Sequence, residues 1–363
     1  MVDFWYKKVI FILKIFSINK RERMAITIHQ IAKQSGVSIG TVSKVLNNRE
    51  GVSDAVRIKV LKTAERLGYF PYIKARASGL FREKGKYIAE IFGHATYHLI
   101  NEINYGISKI ITRSKFYEIK YIFDETETSG ENRLKLFLEH LLRDKGISGL
   151  IVSFLALDDK LINDLLKNNI YLVLINSKND ETSYVTVDNF KASYLATEYL
   201  IKTGCKHIGL IIPETRNVPV WQDRKEGFKK ALLDYNLTYS TDLIEYENTF
   251  DIQQIKLATE ELLKRNNNID AIIYSSDWQA YAGIQLLKEK GIKIPDDISV
   301  IGFDNLEFSS LIEPSLTSVK QPMEEMGKIA ANILLKMIKE KKRIKEKKIL
   351  NTEIVVRNST RRI

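Results

Sequence analysis

Gly36-Val37-Ser38-Ile39-Gly40 has the G-x-S-x-G spacing of a nucleophile elbow. That device holds a serine on a sharp turn leading out of a strand, and here the preceding residues have helical spacing. His94, His98 and Glu102 recur every four residues, which on a helix would turn two imidazoles and a carboxylate to one face, as a metal needs. No stronger ligand set accompanies them, and loop or surface histidines are the commoner explanation of such a pattern. The sequence contains no P-loop and no cysteine cluster, so neither a metal nor a cofactor is expected. A different chemistry is carried by Ile39, Gly40, Thr41, Ser43, Lys44 and Asn47. On one helix these residues share a small, polar, basic face that suits the floor of a DNA major groove.

Residues 27–46 supply the elements that would hold that face. Thr27 and Gln30 have capping-box spacing, and Ile28, Ile31 and Ala32 fall on one side of the helix that follows. Gly36 can adopt the left-handed conformation that ends a helix, and Val37 is a small apolar plug. Ser38 can cap a second helix whose inner face is Val42, Val45 and Leu46. A third helix begins at Ser53, is expected to turn Val56, Val60, Leu61, Ala64 and Leu67 inward, and ends at Gly68. A plain helical hairpin meets the same spacing, so the pattern alone leaves recognition open.

Charge is distributed unevenly. Residues 1–87 hold 18 Lys and Arg against 6 Asp and Glu, while the rest of the 363-residue chain holds 38 against 39. Almost all of the net +11 therefore sits at the N-terminal end. A basic head on a neutral body suggests nucleic acid for the head and another ligand for the body. Cys205 is the only cysteine, which excludes an intrachain disulfide and fits a reducing, cytoplasmic setting. No apolar run reaches the roughly 18 residues of a membrane span, so no membrane partner is expected. Residues 1–23 resemble the start of a signal peptide, but Lys14 interrupts the apolar run and no cleavage site follows. They are expected to be a poorly packed extension, or Met24 the true start.

Residues 71–86 are basic, with Lys74, Arg76, Arg82, Lys84 and Lys86, and have the composition of a linker. From Tyr87 the period changes. Strand patterns at 87–92, 117–123, 149–154, 172–176, 208–212, 243–246, 271–275 and 299–303 alternate with helical patterns at 102–114, 131–143, 160–167, 189–202, 224–234, 253–264 and 281–290. This alternation implies doubly wound parallel sheets, which bind ligands at the carboxyl ends of their strands. Residues 353–357 are expected to form a last strand.

ITIHQIAKQSGVSIGTVSKVLN at 26–47 and VSDAVRIKVLKTAERLGYFP at 52–71 resemble the DNA-binding head of the LacI/GalR family of bacterial transcription regulators. The family has an acidic residue where Gln30 stands, a change that preserves the capping logic. SGLIVS at 148–153, VTVDNFKASYLATEYLIKTGCKHIGLI at 185–211, RKEGFKKAL at 224–232, IPDDISVIGFDN at 294–305 and PSLTSVKQP at 314–322 extend the likeness over the body. The resemblance implies an all-α helix-turn-helix head (24–70), a hinge (71–86) and a periplasmic-binding-protein-like body (87–363). The body would have two doubly wound lobes, one of 87–203 with 320–346, the other of 204–319 with 347–363.

The family likeness also assigns roles. Thr27, Ser38, Tyr69 and the six reading-face residues would meet DNA, with Ile39, Thr41 and Lys44 reaching the bases. Arg76 stands at the family's hinge arginine. The minor-groove leucine falls on Ser78, with Leu80 two residues late. In the body, Arg224 stands at the ligand-binding arginine, and Asp304 at the acid that accepts hydroxyl protons from a sugar. Asp188 would either face the cleft or cap a helix. Ser276-Asp277 replaces Asn-Asp, and Trp221 and Trp278 flank the same stretches, where an aromatic face can pack on a pyranose or simply fill core. The first loop, Gly93 to His98 and including His94, departs most from the family, leaving specificity on that side open. The implied function is a repressor that binds double-stranded operator DNA as a homodimer and answers to a small molecule, by default a carbohydrate. The alternative is a sugar-binding transport protein or sugar-processing enzyme on the same body. The basic head argues against transport, and the missing catalytic constellation against the enzyme.

Overall fold

The computed structural model describes residues 27–46, 49, 51–67, 86–93, 97–122, 146–155, 157–214, 219–247 and 251–362. The chain divides into two units, Met1–Arg82 and Glu83–Ile363. The extension 1–23, Asn47, Tyr69, Lys74, Arg76, Ser78, Leu80, His94 and the helix expected at 131–143 lie outside the described residues.

In the first unit, α1 (Ile28–Ser35), α2 (Ile39–Leu46) and α3 (Asp54–Arg66) enclose a small core of Ile31, Ala32, Val42, Val45, Val60 and Ala64. Leu61, expected inside, is 46% exposed. Val56, Val60, Thr63, Ala64 and Leu67 define the inner stripe, and Leu61 lies one residue, roughly 100°, past it.

The second unit contains two six-stranded sheets. The first joins β1 (Tyr87–Phe92), β2 (Tyr117–Ile122), β3 (Ile147–Ser153), β4 (Tyr171–Ile175), β5 (Ser183–Val187) and β11 (Lys347–Leu350) in the order β11-β5-β4-β3-β1-β2. Among the described residues its strands pair in parallel throughout. The second joins β6 (Ile208–Ile212), β7 (Ile244–Tyr246), β8 (Ala271–Tyr274), β9 (Ser299–Asp304), β10 (Thr317–Lys320) and β12 (Glu353–Val355) in the order β12-β10-β9-β8-β6-β7. Among the described residues its pairings are parallel except for the antiparallel β10–β12 pair. Inner parallel strands such as Ile208–Ile212 are buried apolar runs because helices cover the sheets, whereas the edge strands β2 and β11 carry exposed and charged residues.

The first lobe carries α4 (Tyr97–Ile111), α5 (Asp159–Lys167) and α10 (Met323–Glu340). The second carries α6 (Asn189–Lys202), α7 (Pro219–Asp234), α8 (Ile252–Arg265) and α9 (Asp277–Glu289). The lobe boundaries differ from expectation at two places. The first crossover, expected near Gly204, falls between β5 and α6, because Ala192, Ala196 and Leu200 of α6 are buried in the second lobe's core. The third, expected near Glu346, falls after β11, because Lys347 to Leu350 extend the first sheet alongside Tyr184 to Val187. Three other elements begin earlier than their apolar spacing suggests: α4 at Tyr97, α7 at Pro219, and α9 at Asp277, where Ser276 caps it. Periodicity gives no expectation of β5, β10, β11 or α10.

Candidate functional site

The reading helix of the head is built as its residue types dictate. Thr27 and Gln30 form the capping box, with the Thr27 amide donating to Gln30 Oε1 at 2.8 Å. Gly36 closes α1 at φ 64°, a backbone region where a β-carbon is costly. Ser38 Oγ accepts the Thr41 amide at 3.0 Å and so caps α2. Val42 and Val45 turn inward, leaving Ile39 (40% exposed), Gly40 and Lys44 on the outside. Exposed Ile39 has no part in the head's core, and with exposed Lys44 it leaves apolar and cationic surface on one helix.

Arg224 is the centre of the body's candidate site. It projects from α7 and is 3% exposed. Its Nε donates to Asn189 Oδ1 at 2.9 Å, and its Nη1 donates to the Ser275 carbonyl at 2.9 Å. The guanidinium lies over the Phe303 ring at 4.0 Å and over Trp221 at 4.9 Å. Burial pulls its pKa down to about 10, and the nearby charge of Asp304 opposes that shift. The guanidinium is therefore charged, rigid and largely dehydrated, a state in which each hydrogen bond to it counts for more than in water.

Asp304 ends β9 and is 5% exposed. Its backbone has φ 108°, and Asn305 follows at φ 56°. Such conformations are costly for residues with a β-carbon and survive where the surroundings enforce them. Here the Asn305 amide donates to Ser318 Oγ at 3.0 Å, and Arg357 Nη2 donates to Asn305 Oδ1 at 2.6 Å. Gln321 Nε2 donates to Asp304 Oδ1 at 2.7 Å. Burial first, and the charge of Asp277 second, raise the Asp304 pKa well above the usual carboxylate range, against the pull of Arg224.

The remaining residues divide clearly. Asp188 is exposed and caps α6, accepting the Lys191 amide at 2.9 Å; the neighbouring Asn189 is the one that bears on Arg224. Ser276 caps α9. Asp277 is fully buried and accepts from the Leu306 amide (2.7 Å), Ser309 Oγ (2.6 Å) and Ser318 Oγ (2.5 Å). Burial pushes its pKa up to about 6, although all three donors pull it down. Asp277 braces the turn that carries Asp304, so its contribution to the site is indirect. Trp221 lies beside Arg224, whereas Trp278 packs on Tyr281 at 5.9 Å and edge-on against Phe308 at 6.1 Å. Lys178, following β4 in the first lobe, reaches Asp223 of α7 in the second at 2.6 Å.

Several residues that sequence reasoning passed over belong with this group. Ser153 Oγ ends β3, Asn176 Nδ2 follows β4, and Gln321 Oε1 follows β10. All three atoms are buried and have no hydrogen-bond partner among the described residues. Buried polar atoms are normally paired, and these stand at strand ends where open sheets bind ligands. Asn189, Ser153 and Gln321 lie inside the stretches that carry the family resemblance, which was the available signal. Asn176, at φ 52°, carried only the left-handed preference of asparagine.

Residues 27–72 match the model for bacterial regulatory proteins of the lacI family, and residues 197–360 match the periplasmic binding protein-like domain. The chain is similar to the HTH-type transcriptional repressor PurR of Aliivibrio fischeri, with 30% identity over 92% of this chain and 98% of that protein. Among solved structures it resembles the transcriptional regulator CelR in complex with cellobiose, with 26% identity, a TM-score of 0.68, and coverage of 92% of this chain and 99% of that one. It also resembles a ribose-bound LacI family regulator from Enterococcus faecium, at 28% identity, a TM-score of 0.67, and 77% and 100% coverage. Among the described residues no helix is long and apolar enough to cross a membrane. With a helix-turn-helix head, two parallel-sheet lobes, a buried arginine between aromatic rings and a relative matched almost end to end, this chain belongs to the LacI family and is a DNA-binding transcriptional regulator.

Proposed function

We propose that this regulator is a repressor that binds palindromic operator DNA as a homodimer, and that a carbohydrate held between the lobes of the body changes its affinity. In the head, Ile39, Thr41 and Lys44 read base edges from α2, with Ser43 and Asn47 alongside. Thr27, Ser38 and Tyr69 position the head on the backbone, and Lys74 and Arg76 add phosphate contacts from the hinge. Ser78 and Leu80 occupy the region that would enter the minor groove. Two heads would sit one or more helical turns apart on the duplex. In the body, Arg224 and Asp304 form a donor and acceptor pair for vicinal hydroxyls, and Trp221 offers an apolar face to a ring. Ligand bound at these groups biases the angle between lobes and so the spacing of the heads.

The observation that carries this reading is the buried Arg224, held by Asn189 and the Ser275 carbonyl within reach of the Asp304 charge. Cellobiose and ribose occupy two of the similar structures. The test is fluorescence anisotropy with a palindromic duplex and its scrambled counterpart over a salt series, with and without a panel of sugars. The expected result is a steep salt dependence, a preference for the palindrome, and a change in that preference with at least one sugar. Equal affinity for both duplexes under every sugar would overturn the proposal.

A further inference from the structure

The row of groups that includes Arg224 and Asp304 continues past them toward the edge of the second sheet. In the order β9-β8-β6-β7 the strands run parallel, so their carboxyl ends lie side by side. Asp304 ends β9, Ser275 follows β8, Pro213 and Glu214 follow β6, and Tyr246 ends β7. Backbone bonds keep the last three ends level. The Ser275 amide donates to the Ile211 carbonyl at 2.9 Å, and the Glu247 amide to the Ile212 carbonyl at 3.1 Å. Gln279, 1% exposed, ties two of them together: Ser275 Oγ donates to its Oε1 at 2.6 Å, and its Nε2 donates to the Glu247 carbonyl at 3.3 Å. From β9 to β7 is three strand spacings, roughly 14 Å, more than one sugar ring covers.

Arg224 and Asp304 occupy the β9–β8 half of this row. The β6–β7 half holds a groove of about 180 Å³, lined by the ends of those strands and by Trp221, Gln222 and Lys225 of α7. Complete small-molecule sites measure roughly 300–1,000 Å³, so this groove is an annex to a site and not one by itself. Trp221 belongs to both halves: the Arg224 guanidinium lies over its ring at 4.9 Å, and the same side chain lines the groove. Glu245 pairs with Arg265 of α8, so strand alternation turns Tyr246 to the other face, toward α7. Tyr246 is 41% exposed there.

We propose that the groove between α7 and β7 is a second sugar subsite, and that the effector is a disaccharide spanning both halves of the row. This rests on the carbohydrate reading given above. The first ring lies on Arg224 and Asp304, and the second reaches Trp221 and Tyr246. Two aromatic side chains offer apolar area to the C–H faces of a ring at low entropic cost, because each has few rotatable bonds. Gln222 and Lys225 supply donors, and Gln222 an acceptor, for hydroxyls at the rim. A monosaccharide fills one half only and leaves the aromatic pair unused.

The experiment is calorimetric titration of the full-length protein with disaccharides and their component monosaccharides. The series is cellobiose and maltose against D-glucose, lactose against D-galactose and D-glucose, and xylobiose against D-xylose. At least one disaccharide is expected to bind about tenfold or more tighter than each of its components, a difference of about 1.4 kcal/mol. Tyr246→Ala is expected to weaken that disaccharide by about fivefold or more and so bring it toward its components. Gln222→Ala, at an exposed position of α7, gives a second readout in the same direction if the tyrosine variant does not fold. Monosaccharides that bind as tightly as every disaccharide overturn the inference while leaving the carbohydrate reading intact. A disaccharide whose affinity neither substitution changes does the same. If no sugar of either size binds, the carbohydrate reading falls and this inference falls with it.

Discussion

In the first lobe α4 crosses α10, in the second α7 crosses α6, and each crossing is made at a glycine. A β-carbon at Gly106 would collide with the Glu324 carbonyl oxygen, and one at Gly227 with the Phe190 carbonyl oxygen. Glu324 and Phe190 are each the second residue of their helix. Counting back from the two glycines pairs Ile103 with Arg224 and Glu102 with Asp223. Ile103 is buried apolar core, whereas Arg224, at the corresponding place, is the buried cation of the cleft. Counting along the crossing helices pairs Gly327 with Ser193. A β-carbon at Gly327 would meet the Ile103 carbonyl oxygen, while Ser193 is accommodated with its Oγ buried and unpartnered. The two lobes therefore share a backbone crossing and differ in what one helix face presents. Close helix contact is a property of the glycines; the chemistry is a property of the residues one turn away.

The comparison is broken most severely at Ile103 and Arg224. Ile103→Ala should lower stability by about 2–5 kcal/mol in denaturant titrations while leaving the preference among sugars in place. Arg224→Ala should do the reverse in kind, weakening sugar binding by about 100-fold or more in calorimetry, because Asp304 loses its opposing charge and the ligand its donor. Equal loss of sugar binding in the two variants would show that the lobes do not divide the work this way.

The glycine crossings come next. Gly106→Ala and Gly227→Ala should each cost about 1–3 kcal/mol, and by similar amounts, since each forces a side chain against a backbone oxygen. A marked inequality in urea midpoints would mean that one crossing can slide and the other cannot.

The lobes also differ in how they bury an acid. Glu90, in the middle of β1, is fully buried with both carboxylate oxygens unpartnered, and burial raises its pKa to about 8. Lys120 and Glu118, on the adjacent β2, oppose and reinforce that shift respectively. In the second lobe Asp277 has three donors and reaches only about 6. Both acids bind a proton more tightly folded than unfolded. Stability linked to Glu90 should therefore fall as pH rises from 4.5 to about 8, and that linked to Asp277 should fall from 3.8 to about 6. Glu90→Gln should flatten the melting-temperature profile between these limits and stabilise the protein above pH 8, by roughly 1–3 kcal/mol. Asp277→Asn should destabilise it at neutral pH by roughly the same amount, since an amide cannot accept from all three donors.

The smallest effect is expected at the ion pair that joins the lobes. Lys178 and Asp223 are each about one-third exposed, so Asp223→Asn should change stability by about 1 kcal/mol or less, and less still at high salt.

The head was legible because its signals are local. Thr27, Gln30, Gly36 and Ser38 cap and turn within three or four residues of one another, and the structure forms each of those contacts. The strand and helix alternation of the body was equally readable, since parallel strands are short apolar runs. Leu61 failed because helix phase, unlike helix presence, is sensitive to a single residue. α6 was assigned to the wrong lobe because its apolar face says that it is buried and nothing about which sheet buries it. Among cleft residues, Arg224 and Asp304 were carried by motif, while Asp188, Ser276 and Asp277 shared the motif stretches and proved to be caps and a brace.

The amino-acid order by itself determined the capped helices of the head, the parallel-sheet class of the body and the segregation of positive charge to residues 1–87. Each of these depends on neighbours in the chain or on composition. The tertiary structure alone decided that Asn189 and Phe303 hold Arg224, that Gln321 donates to Asp304 while its own oxygen stays buried and unpartnered, and that α4 meets the Glu324 carbonyl at Gly106. Those pairs are separated by tens to hundreds of residues, and the burial that gives them their properties exists only once both lobes are packed.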